Sequence, residues 1–410
     1  MRIIIATALA AASVVVGVTT SVVGSASAAP ATALPDTARS AALPAGELAG
    51  VACQTDRSCL AVGANAVGTP DSAALAESWN GTAWHSVAVK LPTGATGGQF
   101  DGVTCPGTSG TDCVAVGSFA PKGYPPGYAA AFTDTWNGRA WAPVQVTTGV
   151  ITSLYSVSCL SAKSCVAVGH EHAPEGGYGA GIAYRWNGAT WVGGQIPDPA
   201  GDYDSEFNGV SCVAGSFCAA VGYGKAEGTN QTQTFIYLWH GTTWKTVTPT
   251  LPKGVTNLVL NSVSCTSPRS CVAVGNGSGT LGTATVAEVW DGKAWAATRP
   301  IAWPASAANS WVDGVSCVTA SYCVAAGYID QNPQAKGFNT GRAAASVWNG
   351  RTWTAAAVAA PGKDKASLFT GVTCLRKSFC VAAGQVGPYD STKGTGLSGF
   401  WNGTSWRLVG

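Results

Sequence analysis

One short segment, His170-Glu171-His172, carries two imidazoles at a spacing that suits a metal ion. Residues two apart in an extended strand point to the same side, so both rings could face one ligand. Glu175 lies nearby, but the sequence offers no clear further ligand. The alternative is a solvated loop, and we expect no tight metal here.

A second segment is rich in carboxylates. Its acidic residues are Asp198, Asp202, Asp204 and Glu206. Carboxylates at such spacing could ligate calcium or act as the paired acids of a glycosidase. Alternating acids in a loop that contains Gly and Pro are more often simply solvated. We therefore expect no metal and no cofactor at this segment either.

Aromatic residues are frequent in the long, variable segments, where a rigid scaffold displays its recognition residues. Flat amphipathic rings suit carbohydrate or peptide binding, because they offer contact area at low entropy cost. The predicted ligand-binding residues are Tyr124, Tyr128, Tyr178, Tyr203, Tyr223, Tyr328, Tyr389, Trp303 and Trp311, with the acids Asp202, Asp204 and Glu206. Alternatively, several of these rings fill a channel or seal the junctions between structural units.

The elements that must position these residues follow from seven tandem repeats, each with one cysteine pair. The pairs are Cys53 with Cys59, Cys105 with Cys113, Cys159 with Cys165, Cys212 with Cys218, Cys265 with Cys271, Cys317 with Cys323 and Cys374 with Cys380. The spacing lets two antiparallel strands place both cysteines opposite each other. An even cysteine count in an exported chain favours disulfides, and zinc sites favour shorter spacings. We predict one disulfide in each hairpin.

A tight turn flanked by two tryptophans follows each cysteine pair. The turns are WNGTAW from Trp79, WNGRAW from Trp136, WNGATW from Trp186, WHGTTW from Trp239, WDGKAW from Trp290, WNGRTW from Trp348 and WNGTSW from Trp401. Asn-Gly or Asp-Gly supplies the positive φ angles of a short hairpin turn, and His-Gly replaces it in repeat 4. Strand periodicity puts both tryptophans on one face, so we interpret them as core packing rather than as sugar-stacking surfaces.

Each repeat resolves into four short antiparallel strands, which predicts an all-β fold. A four-stranded sheet with two apolar faces must stack on neighbours, and no polar end caps are visible. We therefore expect a seven-bladed β-propeller rather than an open solenoid. The predicted blades are 46–97, 98–150, 151–200, 201–255, 256–306, 307–364 and 365–410.

The repeat resembles the kelch-type propeller repeat in its order of an apolar strand ending in Gly, a variable loop, an aromatic strand, a tight turn and Trp. Kelch repeats carry a double glycine where this chain has a single one, as at Gly117 and Gly169, and they lack the cysteine pair. The G-x-x-W element also looks like the end of the Asp-box of sialidase-type propellers, but Trp replaces the aspartate. The resemblance implies the propeller architecture and leaves the activity open.

The N-terminal segment predicts export. Arg2 precedes an apolar stretch, and Ala26-Ser27-Ala28 matches a signal-peptidase site, so residues 1–28 are predicted as a signal peptide. Residues 29–45 are predicted as a flexible arm that could assist ring closure, and 46–410 as the propeller. We expect a secreted, extracellular protein of bacterial type with no membrane association after cleavage.

Few enzyme classes fit this composition. Copper oxidases with a Cys–Tyr cross-link need a spare cysteine and histidine ligands, but every cysteine here has a partner and there are four histidines. Sialidases need three convergent arginines, and only Arg299 and Arg342 lie clearly in variable loops. A carboxylate-based glycosidase or lyase stays open if acids converge on the opening. Such acids are Asp202, Asp204, Asp313, Asp330 and Asp390.

The leading hypothesis is a non-catalytic binding or scaffold propeller that recognises a glycan or a protein through its long-loop face. The alternatives are a carbohydrate-active enzyme and a passive wall or matrix protein. A formal charge of +2 gives no reason to expect nucleic acid as a partner, and we expect a monomer.

Overall fold

The apolar runs of the repeats form β-strands. The structure is a computed structural model that describes residues 43–65, 72–125, 127–146, 151–172, 178–199, 202–229, 231–279, 282–298, 300–331, 341–359, 361, 366–387 and 394–409. The predicted signal peptide and residues 29–42 of the arm lie outside these ranges. The described residues belong to one compact unit, residues 34–410, and include no helix with the length and hydrophobicity of a bilayer-spanning segment.

Each repeat forms four strands, because each apolar run is short and ends at turn residues. Repeat 1 forms β1 (Glu47–Thr55), β2 (Ser58–Ala64), β3 (Ala74–Trp79) and β4 (Trp84–Ser86). Repeat 2 forms β5 (Ala95–Thr104), β6 (Cys113–Pro121), β7 (Ala130–Trp136) and β8 (Trp141–Gln145). Repeat 3 forms β9 (Ile151–Ser161), β10 (Ser164–His172), β11 (Ala180–Trp186) and β12 (Trp191–Gln195). Repeat 4 forms β13 (Asp202–Ala214), β14 (Phe217–Ala226), β15 (Thr232–Trp239) and β16 (Trp244–Val247).

The last three repeats follow the same plan. Repeat 5 forms β17 (Val255–Ser267), β18 (Ser270–Gly279), β19 (Gly282–Trp290) and β20 (Trp295–Ala297). Repeat 6 forms β21 (Asn309–Thr319), β22 (Tyr322–Asp330), β23 (Gly341–Trp348) and β24 (Trp353–Val358). Repeat 7 forms β25 (Ser367–Arg376), β26 (Phe379–Val386), β27 (Thr395–Trp401) and β28 (Ser405–Val409).

The strands of one repeat pair antiparallel in chain order and form the blades of a β-propeller. Repeats 1 to 5 form five separate four-stranded sheets, whereas the strands of repeats 6 and 7 share one eight-stranded sheet among the described residues. The last strands of these two repeats, β24 and β28, pair in parallel through Ala357 with Ser405 and Val358 with Trp406. Each half of this sheet keeps the antiparallel order of the other repeats.

A disulfide closes the first hairpin of every repeat, as predicted, and all fourteen cysteines are paired within their own repeats. The bonds join Cys53 to Cys59, Cys105 to Cys113, Cys159 to Cys165, Cys212 to Cys218, Cys265 to Cys271, Cys317 to Cys323 and Cys374 to Cys380. In six repeats the two cysteines lie directly opposite each other in the strand register. The Cα atoms of the seven pairs are 3.9 to 4.1 Å apart, so each bond clamps one short hairpin.

The two tryptophans of each turn face each other across the third and fourth strands. Their ring centroids lie 5.3 to 5.7 Å apart in all seven repeats. The glycine between them has a φ of 87° to 100°, which explains the Asn-Gly type of turn. Most of these rings are buried between sheets, which supports their interpretation as core residues.

Among the described residues the hydrophobic core consists of seven clusters, and each cluster combines residues of two consecutive repeats. Every repeat takes part in two clusters, so each unit is covered on both faces. One cluster joins repeat 7 to repeat 1 and includes Phe400, Trp79 and Trp84. The series of repeats therefore closes on itself.

Polar contacts strengthen the junction of repeats 7 and 1. Trp84 Nε1 donates to Ser398 Oγ at 2.9 Å, and Arg376 forms an ion pair with Asp56 at 3.1 Å. The end of the predicted arm takes part as well. Leu43 is buried in the joining cluster, and Gly396 N donates to Pro44 O at 2.9 Å. Residues 43–45 thus lie against β27, and their role in closure stays a prediction.

Three carboxyl groups of the described residues are buried in third strands, at equivalent positions two residues before the tryptophan. Glu77 in β3 is 3% exposed, and Asp134 in β7 and Glu288 in β19 are both 0% exposed. Burial raises the pKa of Glu77, and it raises the pKa of Asp134 and of Glu288 to about 8. Asp134 and Glu288 are therefore largely protonated at neutral pH when the chain is folded.

We expect the free energy of unfolding to fall as the pH rises from about 6.5 to about 8.5. Unfolded Asp and Glu side chains are already ionised in this window, whereas folded Asp134 and Glu288 hold their protons until the pH passes about 8. Unfolding therefore releases protons, and a higher pH favours it. The variant Glu288→Gln should flatten the profile and raise the urea midpoint at the upper pH.

The measurement is urea unfolding followed by circular dichroism at both ends of the window. The control is Glu227→Gln, because Glu227 is an exposed carboxylate in the loop between β14 and β15. The control should keep the profile of the parent protein. Stability that rises with pH across the window would contradict the prediction.

Candidate functional site

A β-bulge interrupts the first strand of every repeat at the same position. One residue of each strand has no partner in the second strand there. These residues are Ala49, Asp101, Tyr155, Asn208, Asn261, Asp313 and Thr370. The residue before each bulge is a buried Leu, Phe or Val, and the residue after it is Gly or Ser. A bulge redirects a side chain without changing the rest of the ladder.

The bulges surround a central channel. Residues from the first strands of all seven repeats line a cavity of about 190 Å³. Neighbouring strands approach closely here, which explains the small residues after the bulges. A Cβ at Gly102, for example, would lie 2.8 Å from the carbonyl oxygen of Tyr155. Six of the seven bulge residues line the channel, and their side chains differ from repeat to repeat.

The channel contains carboxyl groups with altered acidity. Burial raises the pKa of Asp101 and of Asp313 to about 7, and the charge of Glu47 contributes to each shift. Asp101 Oδ1 accepts a hydrogen bond from Gln99 Nε2 at 2.8 Å. Near neutral pH these two carboxyl groups can therefore both donate and accept hydrogen bonds.

A larger cavity of about 350 Å³ opens beside the channel, between repeats 2 and 3. The loop between β6 and β7 supplies Tyr124 and Tyr128, whose ring centroids lie 5.8 Å apart. Tyr124 is 50% exposed. Tyr155 lines both this cavity and the channel, so the two spaces are neighbours. We call the larger space the tyrosine pocket.

The wall of the tyrosine pocket includes both histidines of the His-Glu-His segment. His170 and His172 end strand β10, and their rings meet edge to face at 4.1 Å. Asp204 at the start of β13 completes the group, with Oδ1 3.8 Å from His170 Nε2. The sequence offered no further ligand nearby, because Asp204 belongs to the next repeat.

Burial and hydrogen bonds determine the charges of His170 and Asp204. Burial lowers the pKa of His170 to about 4, so its imidazole is neutral at pH 7. Burial also acts to raise the pKa of Asp204, but hydrogen bonds from Lys225 and Gly179 outweigh it and hold that pKa below its usual value. Lys225 Nζ lies 2.6 Å from Asp204 Oδ2.

Among the described residues, no other predicted acid belongs to the group of His170, His172 and Asp204. Glu206 accepts a hydrogen bond from the Tyr223 hydroxyl at 3.2 Å. Burial raises the pKa of Asp202, and the nearby charge of Asp198 adds to the shift. Of the acids that sequence considerations placed near an opening, Asp313 lies in the channel, Asp330 is buried, and Asp390 lies outside the described residues.

The remaining predicted aromatics have different environments. Tyr178 is 70% exposed and packs its ring on Tyr203 at 4.2 Å. Trp303 Nε1 donates to Thr285 Oγ1 at 2.7 Å, and the Trp303 ring packs against the cluster between repeats 5 and 6. Tyr389 lies outside the described residues.

Tyr328 is not exposed, contrary to the prediction. It is 7% exposed and stacks on Trp311, with ring centroids 4.8 Å apart. The reason is that β22 continues to Asp330, so Tyr328 lies within the sheet rather than in the following loop. This pair matches the alternative in which aromatic rings fill the interior.

Asp101 and Glu47 were missed as candidate site residues. The signal was present in the repeat alignment: Asp101-Gly102-Val103 and Asp313-Gly314-Val315 share one motif, and the residue before the small one varies between repeats. A variable residue inside a constant motif marks a position at which the repeats differ in chemistry. Only the structure shows that this position faces a channel.

No protein-family model matches the chain, and no curated protein matches it in a sequence comparison. The resemblance to kelch repeats therefore stays a prediction.

Solved structures are similar only at low identity. YCF48 bound to a D1 peptide is 13% identical with a TM-score of 0.49, covering 84% of this chain and 91% of the other. YCF48 from Cyanidioschyzon merolae is 12% identical with a TM-score of 0.49, covering 88% and 96%. The β-propeller domain of the Trilobed protease from Pyrococcus furiosus is 9% identical with a TM-score of 0.49, covering 90% and 96%. Similarity at this level assigns no activity to the chain.

Proposed function

We propose that this protein is a secreted, seven-bladed β-propeller that binds a glycan in the tyrosine pocket without altering it. The seven clusters, one for each pair of consecutive repeats, support seven blades. The link between β24 and β28 involves two residue pairs and leaves both repeats with complete sheets and cores. Seven disulfides are typical of proteins that fold in an oxidising compartment.

The tyrosine pocket is the observation that carries glycan binding. Its volume of about 350 Å³ lies in the range of small-molecule sites. Tyr124 and Tyr128 offer aromatic faces on which the apolar side of a sugar ring can stack. Gln99, Ser118 and Ser153 line the same cavity and provide donors and acceptors for sugar hydroxyls.

The first experiment is a glycan array, followed by calorimetric titration of the strongest hit. We expect Tyr128→Ala to weaken binding by about tenfold or more, because a stacking ring in a pocket acts as an anchor. The matched control is Tyr178→Ala: Tyr178 is an exposed tyrosine outside the pocket lining. The control should bind like the parent protein.

Two outcomes would change the proposal. An empty array with folded protein, or equal losses in Tyr128→Ala and Tyr178→Ala, would contradict glycan binding in this pocket. Release of cleaved products from the bound glycan would favour the second candidate, a glycoside hydrolase. Asp101 and Asp313 favour that candidate, since a carboxyl group with a pKa of about 7 can serve as a general acid.

A further inference from the structure

We infer that His170, His172 and Asp204 form a binding site for a divalent transition metal, with zinc as the best match. The three side chains come from β10 of repeat 3 and β13 of repeat 4. Their potential ligand atoms all lie within 4.8 Å of one another. Nothing in the glycan proposal is needed for this inference, because it depends only on these contacts.

The buried imidazole of His170 is the strongest sign of a ligand. His170 is 4% exposed, and its Nε2 makes no hydrogen bond with any described residue. A buried nitrogen without a partner loses the hydrogen bond that it would form with water. A metal ion between Nε2 and Asp204 Oδ1 would give the nitrogen a partner, and Oδ1 has a second lone pair besides the one that accepts from Gly179 N.

The donor set identifies the class of metal. Two imidazoles and one carboxylate suit zinc and neighbouring first-row metals, whereas calcium and magnesium prefer oxygen alone. Zinc bonds of about 2.0 to 2.2 Å place tetrahedral ligands about 3.3 Å apart. Nε2 and Oδ1 are 3.8 Å apart, so a small side-chain movement is sufficient. His172 is exposed and can rotate toward the ion.

Asp204 is held in position for this role. Its backbone has a φ of 56°, the left-handed region, which β13 adopts at this one residue. Lys225 binds Oδ2, and Gly179 N donates to Oδ1 at 3.1 Å. Oδ1 is therefore the oxygen that faces His170, while the lysine fixes the orientation of the carboxylate.

Three protein ligands leave at least one coordination position open. His170 and His172 line the tyrosine pocket, so the site borders that cavity. Water or an oxygen of a pocket ligand would fill the open position. The site is thus of the open kind that can take part in ligand binding, rather than a closed structural site.

The test is titration of chelator-treated full-length protein with zinc by calorimetry, and with cobalt by visible absorption. We expect one saturable site and cobalt bands typical of four or five ligands. Asp204→Asn and His172→Ala should each weaken zinc binding by more than the roughly 10- to 100-fold typical of outer-shell changes. Asparagine tolerates the left-handed backbone, so Asp204→Asn should fold normally.

The matched controls are His85→Ala and His240→Ala, because both histidines are exposed and lie outside the group. They should bind zinc like the parent protein, and circular dichroism should show that all four variants are folded. Absence of a saturable site in the parent would overturn the inference. Unchanged affinity in folded Asp204→Asn and His172→Ala would overturn it as well.

Discussion

Complete reduction of the disulfides is expected to unfold the protein or to lower its melting temperature by tens of degrees. Each bond closes a hairpin loop, with six residues of separation in six repeats and eight in repeat 2. On the chain-entropy relation such a loop contributes about 2 kcal/mol. Seven contributions of this size are comparable with the whole net stability of about 5 to 15 kcal/mol of a typical domain. Local packing within the repeats is therefore not expected to replace that loss.

The measurement compares thermal unfolding of the oxidised protein with that of protein treated with a phosphine reductant. Mass spectrometry after alkylation checks that all thiols are free. The double variant with Cys317→Ala and Cys323→Ala isolates one bond and should lose about 2 kcal/mol in guanidinium unfolding. Equal melting temperatures for the oxidised and fully reduced forms would show that the disulfides do not hold the repeats together.

Replacing a buried turn tryptophan is expected to cost about 3 to 5 kcal/mol, the range for removing a large aromatic side chain from a core. Trp295 is the best target, because it is 2% exposed and belongs to the cluster between repeats 4 and 5. Trp295→Ala would leave a cavity between the sheets of repeats 4 and 5. Guanidinium unfolding followed by circular dichroism gives the difference directly.

The repeats supply a matched control for this substitution. Trp244 occupies the same position in repeat 4, but its ring is only partly buried. Trp244→Ala should therefore lose clearly less stability than Trp295→Ala. Similar small losses for both, together with loss of glycan binding, would instead favour the sugar-stacking interpretation of these tryptophans.

Local features explain what could be predicted from the sequence. The cysteine pairs and the Trp-Trp turns lie within single hairpins, so spacing alone determines which residues meet. Repetition then extends one hairpin to the whole chain. The pairing of β24 with β28 breaks the repetition, and no residue type at Ala357 or Ser405 signals it.

The candidate site was harder to predict, because its residues meet across repeats. His170 and Asp204 are adjacent in space but belong to different sheets, and each segment alone is more simply explained as solvated. The prediction that Tyr328 is exposed was wrong for another reason: composition does not locate the end of a strand to within a few residues. Depth of burial and contacts between neighbouring units were the missing information.

The bulges separate positions that pack the core from positions that have no partner in the second strand. At each of these seven positions the preceding residue anchors the core, while the bulge residue has no counterpart on the second strand. A substitution at Asp101 can therefore alter the chemistry of the central passage without removing a pairing between the first and second strands. Each repeat supplies one such position. Proteins with the same scaffold can therefore differ widely in the side chains that they present around the channel.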